Sequence, residues 1–300
     1  MKLQRHEKFA LRDGWINKGL LILSDDKGDF YDSYYESRQD RHFAFTRKNA
    51  PDVFGMGNNM VKSLRFWMRA CGLLDERGGN AGTYLSEIGE VIAEYDLYLE
   101  NPYTLWVLHS MLVKNFKEAT SWNVFFNKCN VNEVTRSQIF EIMMREMLKI
   151  SEGKEIPEKS LKSDIDVLLN LYLKKSSDVD PEENNHSPFS ELEMIKETGN
   201  GLFSKNYSNK KGLNEWNIYL ELVERFQNTK TIAIEDLADG NNGIRRIYQI
   251  PMMTLNDYLD RLDALELIKV NRTAGLDVIY KINEDTPITA MKKYYERCQD

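Results

Sequence analysis

The stretch Asn58-Asn59-Met60-Val61-Lys62-Ser63-Leu64-Arg65-Phe66-Trp67-Met68-Arg69-Ala70-Cys71, entered by the turn Gly55-Met56-Gly57 and closed by Gly72, decides how this chain is read. Val61, Leu64, Met68 and Cys71 recur at helical spacing and predict a buried stripe. Asn58, Lys62, Arg65 and Arg69 fall four, three and four residues apart, which gathers them on one adjacent face. Asn58 or Asn59 can cap the start, and Gly72 ends the helix. Upstream, Thr46 can cap a short helix running through Val53; downstream, Leu73-Leu74 opens a strand, 75–80 is a polar turn, and a further helix is expected from Thr83 to Ala93. Helix, turn, helix and short wing is the order of a winged helix-turn-helix.

Charge supports that reading. The 300-residue chain carries a net charge of −7, which speaks against a protein that coats nucleic acid indiscriminately. From Arg41 to Gly72, however, Arg41, Arg47, Lys48, Lys62, Arg65 and Arg69 are opposed by Asp52 alone. A basic island in an acidic chain suits a focused site for phosphates, although a solvated helix face has the same composition. The candidate DNA contacts are Arg47, Lys48, Asn58, Asn59, Lys62, Ser63, Arg65 and Arg69. The Gly55-Met56-Gly57 turn lacks the third glycine of a dinucleotide fingerprint and the Gly-Lys-Ser/Thr of a phosphate loop. It still opens a helix whose first N–H groups can grip a phosphate.

The remaining chain reads as mainly α with small β wings, in three segments: 1–95, a helical middle at 96–211, and 212–300. The aromatic run from Tyr95 to Phe126 could stack bases, but its helical period favours core packing. Helices are expected at 135–150 and 164–173, with a linker at 151–159, a polar loop at 174–187 and a surface insertion at 24–41. The Asp25-Asp26-Lys27-Gly28-Asp29 turn in that insertion is an incomplete Ca²⁺ loop. At the C-terminal end, helices at 214–226 and 253–265 precede a hairpin from Leu267 to Ile282, a second winged-helix-like unit. Its second helix carries Asp257, Asp260, Asp263 and Glu266 against Arg261, so it suits packing, dimerisation or a protein partner better than a phosphate-lined groove. A homodimer is therefore an open expectation.

Cys71, Cys129 and Cys298 are too few and too scattered for a disulfide framework or a zinc site. Mean hydropathy is −0.54, and no apolar run approaches the roughly 20 residues of a membrane span, so a cytoplasmic protein is expected. No established catalytic signature occurs. His6 and Glu7, beside Arg12 and Asp13, could serve phosphodiester cleavage, or form a salt-bridged loop. Asp164 and Asp166 could hold Mg²⁺ or Mn²⁺ only at a helix start or in extended backbone, since two residues of separation splits them across a helix. His109, within the aromatic helix, reads as a satisfied buried histidine.

Several ordered motifs carry a family resemblance. They are His6-Glu7-x-Phe9-x-Leu11-Arg12-x-Gly14-Trp15-x-x-Lys18-Gly19; Gly55-x-Gly57-x-Asn59-Met60-Val61-x-Ser63-x-Arg65-x-Trp67; Asp96-x-Tyr98-Leu99-Glu100-x-Pro102-x-Thr104-Leu105-Trp106-x-Leu108-His109; and Ala119-Thr120-x-Trp122-x-x-Phe125-Phe126-Asn127. Shorter matches follow at Asp164-Ile165-Asp166 and Pro188-x-x-Glu191-Leu192. Together they resemble the SspB-like family, formerly a domain of unknown function, of bacterial DNA phosphorothioation defence systems. Arg5 stands where that family more often has Gly, and the 24–41 segment is longer. The resemblance implies a DNA-binding protein regarded as a nickase, working beside a cysteine desulfurase and an ATP-pyrophosphatase-type enzyme. It transfers no catalytic residue. The residues themselves leave three readings open: a nickase, a non-catalytic adapter that presents DNA to sulfur-transfer partners, and a winged-helix transcription regulator.

Overall fold

In the computed structural model, the described residues are 1–24, 38–76, 82–174, 186–199, 201–208, 210–273, 275 and 277–299. The 25–29 turn, most of the 24–41 insertion, the tip of the 75–80 turn and most of the 174–187 loop lie outside them. The fold is mainly helical with small antiparallel sheets.

The N-terminal elements are α1 (Trp15–Leu23), α2 (Ala50–Phe54), α3 (Asn58–Ala70), the hairpin β1 (Leu74–Glu76) and β2 (Thr83–Leu85), and α4 (Glu87–Tyr95). The expected helix at Thr83 therefore starts later: 83–85 pairs with 74–76, and Ser86 caps α4 by accepting the Gly89 N–H at 3.1 Å. The expected buried stripe on α3 is found, widened by Phe66, Trp67 and Ala70. α1 lies close against it because Gly19 has no side chain; a Cβ there would stand 2.1 Å from the Met68 sulfur.

The middle contains α5 (Pro102–Lys114), α6 (Thr120–Lys128), β3 (Val134–Thr135), α7 (Arg136–Ile150), α8 (Glu158–Tyr172), β4 (Ile195–Thr198) and β5 (Leu202–Lys205). Thr135 and Gln138 form a capping box at the start of α7. α8 begins six residues before the sequence expectation of 164, where Pro157 precedes Glu158. The sheet of order β3-β5-β4 corrects the all-helical expectation for this region. Its strands are two to four residues long, and β4 buries Ile195 alone, so the period-two signal is too short to read. Most of the aromatic run is core: Tyr103, Trp106, Trp122, Phe125 and Phe126 are buried, whereas Tyr98 is exposed. His109 bridges α5 to its neighbours, with Nδ1 2.7 Å from the Tyr172 hydroxyl and Nε2 2.9 Å from the Ile247 carbonyl; burial lowers its pKa to about 3.

The C-terminal elements are α9 (Glu215–Phe226), β6 (Thr231–Ala233), α10 (Ile234–Asp239), α11 (Ile244–Tyr248), α12 (Met252–Ala264), β7 (Ile268–Asn271), β8 (Val278–Lys281) and α13 (Pro287–Arg297). β8 lies between β6 and β7, all antiparallel. A continuous apolar core runs from Leu11 to Tyr295 through all three segments. Among the described residues no helix is long and apolar enough to cross a membrane.

Candidate nucleic-acid interface

α2 ends in the left-handed Gly55 (φ 62°), and Lys18 Nζ donates to the Phe54 carbonyl at 3.1 Å, covering a free acceptor at that helix end. The chain then re-enters helix through Gly57, which has no side chain to cap α3. The first turn of α3 thus presents backbone N–H groups that no cap occupies. Asn58, Asn59 and Lys62 are exposed along it.

The two arginines of the face are more constrained. Arg65 is half-buried and donates through Nη2 to the Thr83 hydroxyl on β2 at 3.5 Å. Arg69 is half-buried, with Nη1 3.8 Å from Glu118 Oε2. Glu118 also accepts from Lys2 Nζ, so one nearly buried carboxylate sits between two cations. Lys48 is exposed and Arg47 half-buried in the turn before α2. Ser63 is inside: its hydroxyl donates to the Phe9 carbonyl at 3.4 Å, beside the Trp67 Nε1–H donating to the same oxygen at 3.1 Å. Ser63 therefore braces α3 from behind.

His6 and Asp164, 158 positions apart in sequence, meet in the core. The Lys8 N–H donates to His6 Nδ1 at 3.1 Å, which leaves the ring proton on Nε2, donated to Asp164 Oδ1 at 2.9 Å. The Gln4 N–H adds a bond to Oδ1 at 2.8 Å, and Ser121 Oγ donates to Oδ2. Both side chains are essentially inaccessible, and the imidazole stacks on Trp67 with its edges toward Phe66 and Trp122. Gln4, Glu7 and Lys8 have φ of 55°, 48° and 67°. Such backbone costs about 1–3 kcal/mol at each site, which this hydrogen-bonded clasp must offset. Glu7 is exposed, and Asp166 is half-buried and pairs with Arg136 at 2.7 Å. The four residues do not form one metal site: Asp164 is spent inside, and Asp166 lies on another face of α8. Among the described residues no three His, Cys, Asp or Glu side chains stand together to hold a metal.

Sequence reasoning missed Glu118, Ser121 and Gln4, because each reaches its partner across more than 40 residues. It also missed Lys205. That buried ammonium donates to the carbonyls of Phe125, Phe126 and Cys129 at 2.8, 3.0 and 2.7 Å, capping the end of α6, and burial lowers its pKa to about 8. A lone lysine in a short strand gives no signal of that role.

The chain matches the family described as protein of unknown function DUF4007 over residues 3–295. It belongs to the DUF4007 family. Two crystal structures of SspB, one described as magnesium ion-bound, superpose with a TM-score of 0.82 at 21% identity, covering 100% of this chain and 89% of theirs. The resemblance drawn from the motifs is thereby upheld, and the DUF4007 fold here is that of SspB. No curated protein matches the chain.

Proposed function

We propose that this DUF4007 protein is a DNA-engaging component of a DNA phosphorothioation pathway, with α3 as the surface that meets the duplex. The observation that carries the reading is the face itself: Asn58, Asn59 and Lys62 stand in solvent around an uncapped helix start, with Arg65 and Arg69 continuing the line. Backbone N–H groups and asparagine amides position phosphates, and cations supply salt-dependent affinity. The fold shared with SspB supports the pathway. The succession α1, α2, α3 and hairpin β1–β2 supports a winged-helix reading of 1–95. The order α9, β6, α10, α12 and β7–β8 supports a second such unit in 212–300, with 96–211 joining them.

Within that pathway, the burial of His6 and Asp164 favours an adapter that presents DNA to sulfur-transfer partners of the desulfurase and ATP-pyrophosphatase type. A nickase is the second reading, supported by the likeness of the motifs to the SspB-like family. Incubation of the protein with supercoiled plasmid, with and without Mg²⁺ or Mn²⁺, separates them. The adapter reading expects retarded plasmid without open circles; open circles that accumulate with protein and metal would establish the nickase. Failure to retard duplex DNA at low salt would remove both.

A further inference from the structure

α7 turns Ile139, Met143 and Met147 into the core. Beside that buried row runs a second apolar row, Phe140, Met144 and Leu148, at i, i+4 and i+8. It floors a shallow groove of about 560 Å³ flanked by Glu141, Arg145 and Lys149. Lys162 Nζ lies over the Phe140 ring at 4.8 Å, whereas Leu148 is 51% exposed. Ile150 is exposed as well and carries the apolar surface into the neighbouring cleft with Leu3, Phe116 and Ile156. A helix that leaves leucine and isoleucine side chains in water has an apolar face to cover.

The flank indicates what covers it. Its N-terminal end carries Glu141, with the Lys162 ammonium over Phe140 paired to Glu158 at 3.2 Å, and its C-terminal end is basic at Arg145 and Lys149. Both cations lean on Glu146, at 3.5 and 2.8 Å, so that end is positive by about one charge. If two copies of α7 lie antiparallel about a twofold axis at Met144, Phe140 of each meets Leu148 of the other. The same axis brings Glu141 of each beside Arg145 and Lys149 of the other. In this arrangement the surface is self-complementary about a twofold axis, the symmetry that closes a dimer.

We propose that this protein forms an antiparallel homodimer through the Phe140–Met144–Leu148 face of α7, with Glu141 facing Arg145 and Lys149 across the twofold. The contact is small, so it belongs among weak interfaces with micromolar dissociation constants. It is independent of the DNA reading.

Sedimentation velocity on the full chain across a micromolar concentration series tests it. The expected result is a monomer–dimer equilibrium in which Leu148→Asp raises the dissociation constant at least about tenfold, by burying a carboxylate in an apolar contact. Glu141→Lys and the double variant Arg145→Glu/Lys149→Glu each weaken self-association by repulsion. These positions are exposed, and circular dichroism confirms that the variants fold. Mixed one to one, the two charge variants restore dimer, because each then meets opposite charge on both sides of the axis. A chain that stays monomeric overturns the proposal, as does a dimer indifferent to Leu148→Asp. A mixture that remains apart while the wild type associates overturns the antiparallel arrangement and with it the proposal.

Discussion

α3 and α12 are both 13-residue amphipathic helices followed by an antiparallel hairpin, and their exposed faces are of opposite charge. α3 offers Asn58, Asn59 and Lys62 to solvent. α12 offers Met253, Asp257 and Asp260, with the exposed Arg261 paired to Glu215 at 3.5 Å. Its acids are partly consumed by the hairpin that follows it: Asp260 pairs with Arg272, and Asp263 takes Lys269 Nζ at 3.0 Å and the Val270 N–H at 2.7 Å. On α3 the lateral cations reach away from solvent in the same manner, Arg65 to the hairpin and Arg69 to Glu118. Two units can thus share an order of elements and differ in what they can touch. On the proposed reading, the sign of charge at the helix surface, and not the topology, decides which of the two suits a phosphate backbone.

The comparison breaks most severely behind the helices. α3 rests on the segment that the His6–Asp164 clasp pins to α6 and α8, whereas the exposed face of α12 carries surface ion pairs. Asp164→Ala removes the partner of a buried hydrogen-bonded histidine and should cost about 3–5 kcal/mol in urea unfolding. Asp257→Ala, on the exposed face, should stay within about 0.5 kcal/mol. Equal losses from both would mean that the clasp contributes nothing special.

Charge reversal is the next largest effect. Lys62→Glu/Arg65→Glu/Arg69→Glu should weaken duplex binding by at least about 100-fold at low salt. The mirror variant Asp257→Lys/Asp260→Lys should change it by less than about threefold. Gel-shift titrations check both, and a large gain from the α12 variant would place that helix in the DNA path. The smallest effect sharpens the helix start. Asn59→Asp should raise stability by about 0.3–1 kcal/mol, because a carboxylate suits the positive end of a helix. The same change should lower DNA affinity a few-fold, so thermal melts and binding should move in opposite directions; affinity that follows stability would argue against phosphate at this turn.

Much of α3 was legible before any coordinates, because Val61, Leu64, Met68 and Cys71 recur at the helical period and Gly55, Gly57 and Gly72 punctuate it. The charge contrast with α12 was legible for the same reason. The split of Asp164 and Asp166 across α8 followed from a two-residue separation, and the structure buries one and leaves the other half-buried at the surface beside Arg136. What stayed hidden is long-range. Nothing near Asp164 in sequence announces His6, Ser121 or the Gln4 N–H, and nothing near Arg69 announces Glu118. The sheet of β3, β5 and β4 escaped because strands of two to four residues show too few alternations to register. Ser63 follows the exposed Lys62 in sequence, and only its neighbours in space reveal that its hydroxyl turns inward to Phe9.

The most direct test of α3 as the DNA-meeting surface is the salt dependence of duplex binding, by fluorescence anisotropy, for the wild type and Lys62→Ala/Arg65→Ala/Arg69→Ala. Each phosphate contact contributes about 0.9 to the slope of log affinity against log salt, so the triple variant should bind more weakly with a slope shallower by roughly one to three units. An unchanged affinity and slope would contradict it.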